Sequence, residues 1–167
     1  MTMDIRLARI DSRLLHGQVA TVWTKSVTPN RILVVSDTVA KDNLRKTLIT
    51  QAAPPGVKAN VITLDKMIQI NKDPRFDVFK AIILTETPAD MLTLAEGGVD
   101  FSQVGIDVGS IAYSDGMTML NDSIAVDNDM AAQLRKLHDD FNLDVYAQKV
   151  PADKKQDMME LLSKKGF

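Results

Sequence analysis

The sequence predicts an α/β fold: a single domain on a mostly parallel, open twisted sheet with helices on both faces. Short apolar runs alternate along the chain with amphipathic stretches, the pattern left by strands joined through crossover helices. One of these runs, RILVVS at 31–36, is apolar on consecutive positions, as a strand buried on both faces is. A chain of 167 residues, 45% of them hydrophobic, can bury one core over residues 1–167, and no repeat, linker or low-complexity segment divides it.

Each element has a local cause. Ile5, Leu7 and the run 8–10 suit a buried first strand, and a helical pattern begins at Gly17 and continues through 27. Pro29 and Asn30 mark the turn into the strand 31–36. Asp42 can cap a second helix, in which Leu44, Leu48 and Ile49 are expected to face the core before Pro54, Pro55 and Gly56 stop it. A strand at 58–63, a short helix carrying Leu64, Met67, Ile68 and Ile70, and a polar loop at 71–75 lead to the strand 80–85. The next helix has Thr87 as N-cap, Pro88 at its first position, and Gly97 and Gly98 at its end. A strand near 103–108 then opens into the glycine-containing loop 109–121, the longest irregular segment and a candidate second wall of a site. A strand at 123–126, a helix from Asp127 to 141, an edge strand at 144–149 and a terminal helix opened by Pro151 complete the chain.

Composition narrows the function. Twenty basic residues against 22 acidic leave a net charge of −2 without a Lys/Arg block, which argues against nucleic acid as a partner. The absence of cysteine excludes disulfides and is compatible with a reducing cytoplasm. The N-terminus lacks the flank and apolar run of a signal peptide, and no apolar stretch approaches the roughly 20 residues of a membrane span, so a soluble protein is expected.

The chemistry concentrates in RIDSRLLHGQ at 9–18. There His16 lies on the turn between the first strand and the first helix, where open α/β sheets bind ligands. A helix start offers backbone N–H groups to an anion, and Arg13 adds a planar guanidinium matched to phosphate oxygens. A neutral imidazole is a competent phosphoryl acceptor, so the combination suggests phosphoryl transfer. Arg45, after the neighbouring strand, belongs to the same rim and could converge on the same phosphate. Asp11 is expected to fold the loop by accepting nearby N–H groups. His138, beside Asp139 and Asp140 on a polar helical face, reads as a solvated surface residue. Leu14 and Leu15 are candidates for a docking contact if either is exposed. Metal-ligand spacing is missing, as is the G-x-G-x-x-G series of dinucleotide sites, and no cofactor is expected.

Together RIDSRLLHGQVATVW, ILVVSD, LRKTLITQAAPPGV and LAEGGV resemble the IIB subunit of the mannose/fructose/sorbose family of sugar phosphotransferase systems, closest to the mannose type. The resemblance implies a protein-N(pi)-phosphohistidine–sugar phosphotransferase with His16 as acceptor. Arg13 and Arg45 would bind phosphate, with the loop at Gly17 and Gln18 contributing to the cradle. It implies a cytoplasmic IIA donor, membrane IIC and IID partners that hold the sugar, and a cytoplasmic location at the membrane transporter. The sugar stays open among mannose, glucose, fructose and amino sugars such as N-acetylgalactosamine, as does homo-oligomer formation. One departure stands out: where mannose types read close to N-V-G-G, this chain has Asp107, Val108, Gly109 and Ser110, followed by Tyr113 and Met117. A carboxylate facing a phosphohistidine would repel it. That departure motivates the alternative of a regulatory module of the same fold that uses phosphorylation as a signal. An unrelated small-molecule-binding α/β domain is a third reading.

Overall fold

The structure, a computed structural model, describes residues 3–167, so the first two residues of the expected domain lie outside the described residues. In chain order the strands are β1 (Asp4–Asp11), β2 (Arg31–Val35), β3 (Lys58–Ile62), β4 (Lys80–Thr85), β5 (Ile106–Ser110), β6 (Thr118–Met119), β7 (Ala125–Val126), β8 (Val145–Ala147) and β9 (Gln156–Asp157). The helices are α1 (Thr24–Val27), α2 (Asp37–Ala40), α3 (Asn43–Gln51), α4 (Leu64–Asn71), α5 (Pro88–Glu96), α6 (Asn128–Asp139) and α7 (Met158–Lys164), with a π-helical turn, Val19–Trp23, running directly into α1. Seven strands form one sheet in the order β3-β2-β4-β1-β5-β8-β9, parallel except for β9, while β6 and β7 make a separate antiparallel ribbon.

The pleat sends alternate side chains to two cores. Ala8, Ile10, Leu33, Val35 and Ile83 meet α4, α5, α6 and α7 on one face. Leu7, Ile32, Val34, Ile82 and Leu84 meet the π-turn, α2 and α3 on the other. The expected helices on both faces are therefore present. Capping sets where helices begin: the Thr87 hydroxyl accepts from the Asp90 N–H at 3.2 Å, Asp42 from Arg45 N–H at 3.1 Å and Asp127 from Met130 N–H at 2.8 Å. Each such cap is worth about 1 kcal/mol.

Several elements differ from expectation. Leu44 and Leu48 are 72% and 59% exposed, leaving Ile49 as the buried anchor of α3. Ser36 caps an additional short helix, α2, by accepting from Val39 N–H. The strand expected at 103–108 starts at Ile106 and continues to Ser110, so the loop opens later. That loop is then partly ordered by β6, by its pairing with β7, and by a bridge from Ile111 to Ile124. Consequently the segment 123–126 joins the ribbon, not the main sheet. The strand within 144–149 is interior, because β9 pairs onto β8 and takes the edge. Pro151 starts turns, and the terminal helix begins only at Met158, where Asp157 caps it. α6 ends at Asp139, two residues short, and the polar loop at 71–75 leads into a 3-10 turn, Pro74–Phe76, capped by Asp73.

Candidate functional site

β1 is the central strand, and its last residue, Asp11, lies at the carboxyl rim of the sheet. There the Leu14 N–H bonds to the Asp11 carbonyl at 2.9 Å and the Ser12 N–H to the Ser110 carbonyl of β5 at 2.9 Å, tying both ends of a tight turn. Leu14 takes a φ of 58°, unusual for a bulky residue, and its side chain is fully buried. Leu15 is buried as well, so neither leucine is available as the exposed docking contact that the sequence allowed. Their burial points the chain outward at His16, whose side chain is 18% exposed. The Ala20 N–H closes the first helical turn on the His16 carbonyl at 2.8 Å, and Gly17 and Gln18 sit exposed on that turn.

The imidazole is held from below. Its Nε2 lies 2.9 Å from Asp11 Oδ2. A carboxylate only accepts, so Nε2 carries the hydrogen and Nδ1 keeps its lone pair. Asp11 Oδ1 accepts from the Arg13 N–H at 2.9 Å and from Arg13 Nε at 3.3 Å. Burial alone would raise the Asp11 carboxyl, but His16, the Arg13 N–H and Arg9 outweigh it and hold it below the usual carboxylate range. Arg13, with half of its side chain exposed, thus combines a tether to the loop with a free guanidinium face.

Under Asp11 lies a network that the sequence reading did not single out. Arg9 is completely buried beneath the π-turn. Its Nη1 donates to Asp107 Oδ2 at 2.6 Å and to the Gln148 carbonyl at 2.8 Å, and its Nη2 to Asp11 Oδ2 and the Lys149 carbonyl, both at 3.3 Å. Its guanidinium lies 5.4 Å from the ring centroid of Trp23, whose indole N–H donates to the same Lys149 carbonyl at 3.1 Å. Burial raises the Asp107 carboxyl to about 6, with Arg9 and the Gln148 N–H opposing it. Asp107 is therefore turned into the protein toward Arg9, and the feared repulsion with a phosphohistidine does not arise from it. The available signal was period-two polarity inside an apolar strand, Arg9 and Asp11 on the face of Leu7.

Arg45 is on the same rim but is engaged elsewhere. Its guanidinium lies 3.6 Å from Glu86, the residue after β4, and Glu86 also accepts from Ser36 Oγ at 2.9 Å. Burial, with the charges of Asp37 and Glu86, keeps the Asp90 carboxyl above its ordinary value, so Arg45 balances an acidic corner. Among the described residues no hydrogen bond or ion pair joins Arg45 to His16 or Arg13. A groove of about 410 Å³ beside Arg13 is lined by Ser12, Ser110, Tyr113, Asp122 and Lys149, which makes the 111–123 segment its far wall. His138 is exposed and 2.8 Å from Asp139, on α6.

Residues 5–167 match the family model described as the sorbose subfamily IIB component of the PTS system. A mannose-specific EIIAB component of Escherichia coli (strain K12) is 44% identical over 162 residues; the match covers 97% of this chain and 49% of that protein, so the chain spans about half the length of that relative. A sorbose-specific EIIB component of Lacticaseibacillus casei is 39% identical over 136 residues, 81% of this chain and 82% of the relative. Among solved structures, the IIBSor domain of the sorbose permease from Klebsiella pneumoniae superposes with a TM-score of 0.93 at 33% identity, covering 99% of both chains.

Proposed function

Because the chain belongs to the sorbose-subfamily IIB components of the phosphotransferase system, we propose that it is a phosphocarrier in which His16 accepts a phosphoryl group from a IIA phosphohistidine and passes it to a sugar. The observation that carries this reading is the hydrogen bond from His16 Nε2 to the buried Asp11, which leaves Nδ1, the N(pi) position, as the nucleophile. In the first step the Nδ1 lone pair attacks phosphorus in line. The new N–P bond forms as the donor's N–P bond breaks, and the donor imidazole retains that electron pair. Asp11 then faces an imidazole that is phosphorylated on one nitrogen and protonated on the other, and its charge offsets the cation. Arg13 and the first-turn N–H groups of Gly17 and Gln18 supply positive potential for the phosphoryl oxygens. Arg45 joins them only by releasing Glu86, so its contribution comes with the arriving phosphate. In the second step a sugar hydroxyl attacks phosphorus, the N–P bond breaks with its electron pair returning to His16 Nδ1, and the hydroxyl proton passes to solvent water as the O–P bond forms.

No helix among the described residues is long and apolar enough to cross a membrane. In the proposed cycle the chain docks from the cytoplasm on IIC and IID partners that hold the sugar. The relatives are named for different sugars, mannose and sorbose, so family membership alone does not select the sugar. The test is labelling from a phosphorylated mannose-type IIA. His16→Ala should lose all acid-labile, base-stable label while His138→Ala keeps it, and phosphorus–nitrogen NMR should place the group on Nδ1. Label retained in His16→Ala would end this assignment.

A further inference from the structure

Asp11 can hold the imidazole in one tautomer only if Asp11 itself stays put, and its own loop fixes only one of its oxygens, through the Arg13 N–H at 2.9 Å. Both of its oxygens already accept twice: Oδ1 from the Arg13 N–H and Nε, Oδ2 from His16 Nε2 and Arg9 Nη2. On Oδ2, the oxygen that holds the ring, His16 is the group to be positioned, so the fixed donor is Arg9. Arg9 is immobile for reasons that lie outside the loop. Two carbonyls of consecutive residues, Gln148 and Lys149, accept from it, Trp23 covers it, and Asp107 on the adjacent strand takes the shortest bond of the set, 2.6 Å. Asp107 is pinned in turn by the Gln148 N–H on its other oxygen at 2.9 Å. The strand register places Arg9 directly opposite Asp107, so the pairing is built into the sheet. Gly109 completes the seat: a methyl group there would collide with the Arg9 guanidinium.

We propose that Arg9 and Asp107 are positioning residues for phosphoryl acceptance. Anchored by Asp107, Arg9 fixes the Asp11 carboxylate, and Asp11 fixes His16 with Nδ1 presented to the donor. This rests on His16 being the acceptor. Arg9 contributes through charge as well as geometry, since one guanidinium stands between two buried carboxylates and lets Asp11 stay ionised beside the imidazole. A lysine could not reproduce this, because a single ammonium lacks the planar fork that spans Asp11 and Asp107 together. Asparagine, which mannose types carry at this place, could keep an Arg9 bond through its amide oxygen. Leucine at 107 has about the same size and accepts nothing, so Arg9 would then lean on Asp11 and compete with Nε2 for Oδ2.

The experiment uses the full chain with nitrogen-15 in its imidazoles. In the wild type, long-range nitrogen–proton spectra should show His16 predominantly protonated at Nε2; a predominantly Nδ1-protonated wild type overturns the proposal without any variant. Asp107→Leu and Arg9→Lys should then shift His16 toward the other tautomer. They should lower the maximal rate of phosphoryl transfer from phospho-IIA by about tenfold to 100-fold, the scale of a misplacement of about 1 Å. The KM for the donor should stay at the wild-type value, because both residues are buried away from any docking surface. A folded variant that loses thermal stability yet keeps the wild-type tautomer and maximal rate shows a structural role only and overturns the proposal. If the wild type shows the expected tautomer but never accepts phosphate, the phosphocarrier reading fails separately from the positioning of the ring.

Discussion

At the scale of single residues, Leu14 sets the direction of the acceptor loop. A leucine at φ 58° costs about 1–3 kcal/mol of backbone strain, and it persists because the side chain fills the core between β1 and the π-turn. Leu14→Asp should therefore abolish folding, visible as lost helical circular dichroism, where an exposed docking residue would leave the fold intact; Leu14→Ala should cost about 2–5 kcal/mol in urea unfolding. Asp107 gives a pH signature. Burial raises its carboxyl to about 6 in the folded protein from an ordinary 3.8, so the folded state holds that proton more tightly than the unfolded one. Its contribution to stability is therefore greatest below the ordinary value, declines as pH rises to about 6, and is flat beyond. The lowered Asp11 works oppositely, its contribution being lost only as pH falls below the ordinary carboxylate range. Stability curves of the wild type and Asp107→Asn should differ in slope between about pH 4 and pH 6 and run parallel above it. From the sequence, His16, Arg13 and Asp11 were legible as neighbours on one turn. Arg9 and Asp107 were not, because 98 positions separate them and only the pairing of β1 with β5 brings them together.

Among the elements, α3 shows where a periodicity argument stops. Leu44, Leu48 and Ile49 satisfy helical spacing, yet only Ile49 reaches the core, because α3 packs over β3, the edge strand of the sheet, and leaves Leu44 and Leu48 in solvent. Leu44→Ser and Leu48→Ser should each change unfolding stability by less than about 0.5 kcal/mol, as exposed substitutions do. Ile49→Ala should cost about 2–5 kcal/mol. Equal losses at all three positions in thermal melts would contradict this burial. The helix after His16 was legible at 17–27, but its wide π-turn was not: over five residues the longer period is indistinguishable from the ordinary one. That turn carries Trp23 onto the Lys149 carbonyl, and Trp23→Phe, which removes the N–H and shrinks a buried bicyclic ring to a single one, should lower stability by more than the roughly 1 kcal/mol of the hydrogen bond alone.

For the molecule as a whole, the fold class followed from alternation of strand and helix patterns, and the caps at Asp42, Thr87 and Asp127 marked helix starts that the structure reproduces. What stayed illegible was the far end of the sheet, where two-residue strands are set by pairing partners and not by their own composition. The position of β1 at the centre of the sheet has a consequence in time. Its partners are β4 and β5, paired at Asp4 with Lys80 and at Arg9 with Asp107, so a chain growing from its N-terminus carries the acceptor loop long before either neighbour exists. Such non-local pairing makes the centre of the sheet slow to close. In pulse-labelled refolding, the amides of β1 should gain protection together with those of β4 and β5 and never ahead of them. The histidine loop is synthesised before both strands that flank it, and by this order it takes its working shape only once they have paired with β1.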